Sequence, residues 1–168
     1  MALTKTTLPA LTPTHAVPYD TAQAFALAQT ITATGYATNV NTQVTMGPGR
    51  MEGYWALDIS NLKVSAGNET YGFYLMGSND SGWGNGNVEL LAAHDFAAAS
   101  SGRLVPTILA VTPAEPVVGL NATRHAIPFS NQMGDYVFEY MQLYLVLGGT
   151  SPTVTFSSWL SPWSGQKA

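Results

Sequence analysis

The chain has 168 residues, no cysteine, a formal net charge of −4 and only 10% charged side chains, against roughly 25% in an average soluble domain. That length fits one domain with a core that needs no staples, and the missing thiols exclude a disulfide framework, a thiolate metal site and a cysteine nucleophile. The six basic residues, Lys5, Arg50, Lys63, Arg103, Arg124 and Lys167, are scattered along the chain, so the clustered cations of nucleic-acid binding are missing.

No apolar run approaches the ~18 residues of a membrane span, so neither nucleic acid nor membrane is expected as a partner. A surface this poor in charge is a poor colloid on its own, which points to part of it being covered in the working state.

Residues 1–19 are rich in Thr and Pro, with sparse apolar anchors at Leu3, Leu8, Leu11 and Val17. Proline removes donors and favours extended chain. The segment reads as an arm ordered by whatever binds it, and a frayed terminus is the equal alternative. Pro9, Pro13, Pro18 and Asp20 disfavour a secretory signal ahead of the Ala24 to Ala28 run. The Asn-x-Ser/Thr triplets at Asn68, Asn79 and Asn121 then read as turn chemistry rather than glycosylation. Residues 20–29 form either a short helical turn capped by Asp20 or an irregular link into the first strand.

From residue 20 to the end the chain reads as a single β domain. Strand patterns follow at 31–34, 37–44, 53–64 and 71–76. The third places Trp55, Leu57 and Ile59 on one face, and the fourth separates Tyr71, Phe73 and Leu75 from Gly72, Tyr74 and Met76. Residues 88–96 are weaker, because Leu90-Leu91-Ala92-Ala93 also suits a helix. Patterns at 104–111, 116–120 and 124–129 carry Pro106, Pro116 and Pro128, which confine those pieces to edges or strand ends. Turn clusters lie between the patterns, and many short strands with recurring turns read as a sandwich or barrel.

The last of these patterns is the most informative. Residues 135–147, DYVFEYMQLYLVL, give thirteen residues of strand pattern, roughly 43 Å of extended chain. One face carries Val137, Met141, Leu143, Leu145 and Leu147, interrupted by Glu139. The other carries Tyr136, Phe138, Tyr140, Tyr144 and Val146, interrupted by Gln142. A strand covered on one face alternates apolar with polar; this one asks for cover on both. The Leu-rich face is expected in the core, and the Tyr-rich face under another subunit or a loop. A Gly-Gly-Thr-Ser-Pro turn then leads to a final strand at 153–160.

Catalytic and metal chemistry find little support. His15, His94 and His125 show no metal spacing, and no Gly-x-Ser-x-Gly elbow accompanies His94-Asp95. A glycosidase pair would have to come from Glu52, Asp58, Glu89 and Glu139, which lie apart in sequence. Glu139 is read as a sheet-margin residue or a partner of Arg103 or Arg124. The loop 77–87 holds a single carboxylate, Asp80, too few for calcium; it reads as a surface turn with Trp83 at its tip, a sugar-stacking platform, a protein-contact anchor or a side chain tucked over the sandwich end. No enzyme, cofactor or metal is expected.

Three phrases in order resemble the jelly-roll cement, or head-decoration, proteins of tailed bacteriophages. The run Asp20-Thr21-Ala22-Gln23-Ala24-Phe25, leading into Gln29-Thr30-Ile31-Thr32-Ala33-Thr34 and Thr38-Asn39-Val40, is similar to that family's opening. Gly77-Ser78-Asn79-Asp80-Ser81 resembles its central hairpin. Tyr140-Met141-Gln142-Leu143-Tyr144, and then residues 148–160, resemble its last two strands. The front end at 1–19 and the Pro-rich stretch 104–129 depart from the pattern.

The resemblance implies an all-β, jelly-roll-like antiparallel sandwich with an extended arm, sitting on the outer surface of the virion capsid. It implies a homo-oligomer, dimer or trimer, that braces the major capsid protein without catalysis. Expected contact residues are Leu8, Leu11 and Val17 in the arm, Trp83, Tyr136, Tyr140 and Tyr144, and Trp159 and Trp163 at the C-terminal end. The competing expectation is a carbohydrate-binding, lectin-like jelly-roll of a phage tail or surface structure, with exposed aromatics as a flat platform.

Overall fold

The structure is a computed structural model that describes residues 20–84, 88–105, 107–109 and 124–162. The described chain enters through a 3-10 turn, Thr21–Gln23, capped by the Asp20 carboxylate, which accepts the Ala22 N–H at 2.9 Å. Twelve strands follow: β1 (Ala24–Ile31), β2 (Gly35–Tyr36), β3 (Val44–Thr45), β4 (Glu52–Leu62), β5 (Thr70–Ser78), β6 (Val88–Ala98), β7 (Thr107–Leu109), β8 (Arg124–Ser130), β9 (Gln132–Met133), β10 (Tyr136–Val137), β11 (Tyr140–Gly148) and β12 (Val154–Pro162).

The strands form two facing sheets and a small hairpin. The first sheet runs β1-β12-β4-β8; the second runs β2-β11-β5-β6-β7, with β3 also on β11. The ladders are antiparallel except for β6–β7. The chain passes repeatedly from one sheet to the other, and its first strand ends beside its last. That strand order is a jelly roll, so the all-β sandwich expected from the turn and strand pattern is the observed fold. The arm expected at 1–19 lies outside the described residues.

Alternation decides what fills the space between the sheets. Trp55, Leu57 and Ile59 of β4, Tyr71, Phe73 and Leu75 of β5, Met141, Leu143 and Leu145 of β11, and Phe156 and Leu160 of β12 are all buried there. Burying each such side chain contributes on the order of 1.5–3 kcal/mol against the entropy of ordering the chain. The Trp55 indole N–H would be stranded in this core, but it donates to the Ser158 hydroxyl at 2.7 Å.

The strand pattern at 88–96 is observed as β6, in which a bulge shifts the register opposite Leu75 and Met76, so that Leu91 and Ala92 both pack on the core. Two segments differ from the sequence expectation for physical reasons. Residues 31–44 hold only the end of β1, the short β2 and the start of β3. Side-chain amides replace ladder bonds there: Asn39 bridges the N–H and carbonyl of Leu27, and Asn41 donates to the Thr21 and Ala24 carbonyls. Of the pattern at 104–111 only β7 is strand among the described residues, and 116–120 lies outside them.

The largest correction concerns the thirteen-residue strand, which is two elements. Gly134, at φ 58°, closes the hairpin of β9 and β10. The Phe138 N–H then turns back to the Asn131 carbonyl at 2.7 Å, and Phe138 is buried against Gly77, where a Cβ would meet it at 3.0 Å. Phe138 and Met141 are both buried three positions apart, a spacing that strict alternation cannot deliver. The chain therefore bends between β10 and β11. Glu139 lies at that margin, its N–H donating to Asn79 Oδ1; Arg103 and Arg124 face Asp95 and Asp58 instead.

Asn131 holds the bend. Its Oδ1 accepts the Met51 N–H at 2.6 Å, and its Nδ2 donates to the Gly49 and Phe138 carbonyls at 2.9 and 3.1 Å. Asn131→Ala strands three backbone groups around a buried site, an expected cost of about 3 kcal/mol. The check is a shift of the urea midpoint at unchanged slope; a cost under about 1 kcal/mol would contradict this role.

Candidate interaction surface

Sheet geometry assigns each side chain to the core or to the outside. The outward side of the β1-β12-β4-β8 sheet mixes polar and apolar side chains: Thr155 and Ser157 on β12, Asp58 and Ser60 on β4 and Arg124 on β8, beside Tyr54, Ala126, Pro128 and the buried Trp159. The Arg124 guanidinium grips the Asp58 carboxylate across the β4–β8 pair with two hydrogen bonds, at 2.9 and 2.7 Å, and lies 4.9 Å over the Trp159 ring. That carboxylate raises the Arg124 pKa and holds the cation in place.

The outward face of the other sheet is different. Tyr36 of β2 stands opposite Tyr144 of β11, Tyr144 opposite Tyr74 of β5, and Tyr74 opposite Ala93 of β6. Three tyrosines therefore cross the sheet in one row. The next row is Gln142, Met76 and Leu90; on the other side lie Val146, Gly72 and Asp95. The first sheet covers only the inward side of these strands.

Tyr36 is 45% exposed, Leu90 44% and Val146 39%, while Tyr74, Met76, Tyr140 and Tyr144 are half-buried. Among the described residues of these rows Asp95 is the one charged group, and Arg103 approaches it to 3.9 Å from the following loop. Tyr74 leans along its own strand over Gly72, where a Cβ would meet its hydroxyl at 2.5 Å. Burial, then the Asp95 carboxylate, raises the Tyr74 pKa, so it presents a neutral phenol. The Tyr36 and Tyr144 rings lie 4.8 Å apart, tilted by 57°.

The expected contact residues divide accordingly. Tyr140 and Tyr144 belong to this face, as the Tyr-rich side of the last long pattern required. Tyr136, 63% exposed, stands apart on the β9–β10 hairpin. Trp83 is half-buried at φ 55°, its indole N–H given to Gln43 Oε1 at 2.6 Å. Asp80 accepts the Gly82 and Gly84 N–H groups and builds this loop. Trp83 is thus tethered back onto its own chain.

Trp159 is a correction. At 3% exposure it packs on Ala24, Ala56 and Val40 under Arg124, so it is filled-in structure and not an exposed contact. Leu8, Leu11, Val17 and Trp163 lie outside the described residues. Sequence reasoning missed Tyr36, Tyr74, Met76 and Leu90 as members of the face. Tyr74 and Met76 share a side in their own strand pattern, but only the β5–β11 pairing brings that side next to Tyr144.

Among the described residues, no group of three His, Asp or Glu side chains is placed to hold a metal ion. Asp58 is engaged by Arg124, and Glu52 by Arg50. An open pocket of about 640 Å³ where the paired β4 and β8 meet Leu91 of β6 has Tyr54, Pro128 and Phe129 on its wall and Glu52 as its one carboxylate, so the facing pair of a glycosidase is missing there. No described helix is long and apolar enough to cross a membrane. Compared with known protein families, curated proteins and solved structures, the chain matches none.

Proposed function

We propose that this chain is a non-enzymatic decoration protein: a jelly-roll domain that binds the outer surface of an assembled phage head, as a homo-oligomer, and stabilises the lattice of the major capsid protein. The observation that carries the reading is the Tyr36-Tyr144-Tyr74 row with Met76, Leu90 and Val146 around it. It is an aromatic, nearly uncharged sheet face, of the composition enriched at protein interfaces. The resemblance of three ordered sequence phrases to phage cement proteins supplies the identity of the partner.

The mechanism is linkage. A protein that binds only the assembled lattice stabilises it by mass action, and symmetry repeats a weak contact until the shell gains avidity. The competing lectin-like reading needs coplanar rings on which a sugar can stack. The 57° tilt between Tyr36 and Tyr144 and the tethered Trp83 do not supply them.

Co-sedimentation with expanded heads and with unexpanded precursors tests the proposal. The full-length protein is expected to pellet with expanded heads alone, and failure to bind them would sink it. Removal of residues 2–18 is expected to weaken binding if the arm lies along neighbouring subunits, and to leave it unchanged if the arm is frayed. A glycan-array signal without head binding would favour the lectin reading.

A further inference from the structure

We propose that His94 and His125 form an acid-sensitive latch that holds strand β8 against the facing sheet. The two histidines are 31 positions apart in sequence, on strands of opposite sheets. His94 stands opposite Phe73 on β6, and His125 opposite Leu57 on β8, so both point between the sheets. Their rings meet at 4.7 Å, tilted by 39°. Phe96 stands nearly perpendicular to both, at 4.8 Å from His94 and 5.1 Å from His125. Phe96 is itself continuous with the aromatic core through Phe73 and Phe156. His94 Nε2 is buried and has no hydrogen-bond partner.

This is a place for two neutral imidazoles. Protonating either one puts a cation in a partly buried site, and protonating both sets like charges in contact. The charged groups nearby do not relieve this. Asp58 on β4 and Asp95 on β6 favour protonation of His125 and His94, but Arg124 of β8 already grips Asp58 and Arg103 stands by Asp95. Burial prevails and lowers the pKa of both, with the neighbouring His125 lowering His94 further.

The sign follows. With native pKa values below the unfolded value of about 6.5, the unfolded chain binds the extra protons. The contribution of the pair is intact above that pH and is lost as pH falls through it toward the native values. Among the described residues β8 pairs in its sheet with β4 alone, so it is the strand that loosens when the contact with β6 repels.

Hydrogen exchange of the full chain at pH 7.5 and 5.5, corrected for the intrinsic rate of exchange, tests the latch. The β8 amides that bond to β4 are expected to lose about tenfold in protection at the lower pH, while the β5–β11 amides hold theirs. In the double variant His94→Gln, His125→Gln the difference should shrink to within about twofold. Unchanged wild-type protection, or the full effect surviving in the double variant, overturns the proposal. If the variant does not fold, the wild-type ring protons decide: both histidines titrating below about 6.5 supports the latch, and either titrating at or above that value overturns it.

Discussion

Gly149→Ala is expected to lower the unfolding free energy by about 2–4 kcal/mol, combining left-handed backbone strain with overpacking. Gly149 sits at φ 91° in the turn between β11 and β12. A Cβ there would collide with the Asn68 carbonyl oxygen and lie 2.7 Å from Glu69 Cα. Both obstacles are backbone, so no rotamer change clears them.

The neighbouring turn cannot retreat easily. Asn68 clamps Thr150, accepting its N–H at 2.9 Å and donating to its hydroxyl at 3.2 Å, and the buried Glu69 accepts the Ala66 N–H. Gly148→Ala is the internal control. Its Cβ would meet only the Thr70 hydroxyl at 2.6 Å, which can rotate away, so the cost should stay below about 1.5 kcal/mol. Urea midpoints at constant slope read both values. Equal costs at the two glycines would contradict the packing of the two turns against each other.

Tyr144→Glu is expected to reduce binding to expanded heads, and self-association with it, by about 30-fold or more, the scale of an aromatic interface hot spot. Tyr144 lies at the centre of the row, with Tyr36 and Tyr74 on either side, and a carboxylate there would be desolvated by any partner that covers the face. The fold should tolerate the change, because the side chain points away from the core and loses a cross-strand aromatic pair worth roughly 0.2–1 kcal/mol. Particle pelleting, sedimentation velocity and a thermal melt on the same sample separate the two effects. Lost binding with a retained melt supports the interface; undiminished binding removes Tyr144 from it.

How far the sequence could be read depended on the range of the interaction. The inward sets Trp55/Leu57/Ile59, Tyr71/Phe73/Leu75 and Met141/Leu143/Leu145 follow from period-two alternation and are the observed core. Asp20 as a cap and Pro128 on an edge strand are equally local. Alternation failed where the chain leaves it. The bulge at Leu91 and the bend at Phe138 each shift the parity of a face by one residue, and both depend on what packs opposite, Gly77 included.

The tyrosine face was half legible for the same reason. The tyrosines of β11 announce themselves by interrupting no polar pattern, whereas Tyr36 belongs to a two-residue strand whose partner is more than a hundred positions away. Trp159 misled because its outward parity says exposed, while Arg124, Ala24, Ala56 and Val40 close over it from other elements. His94 and His125 meet only through the two-sheet topology, and no spacing in the chain announces the pair.

The central claim is that the tyrosine row is covered by protein when the chain is at work. Hydroxyl-radical footprinting, read by mass spectrometry on the free chain and on the chain bound to expanded heads, tests it directly. Tyr36, Met76 and Tyr144 are expected to lose most of their labelling on binding, while Leu27, 55% exposed on the other sheet, keeps its own. Unchanged labelling of all three residues in a bound sample would contradict the account.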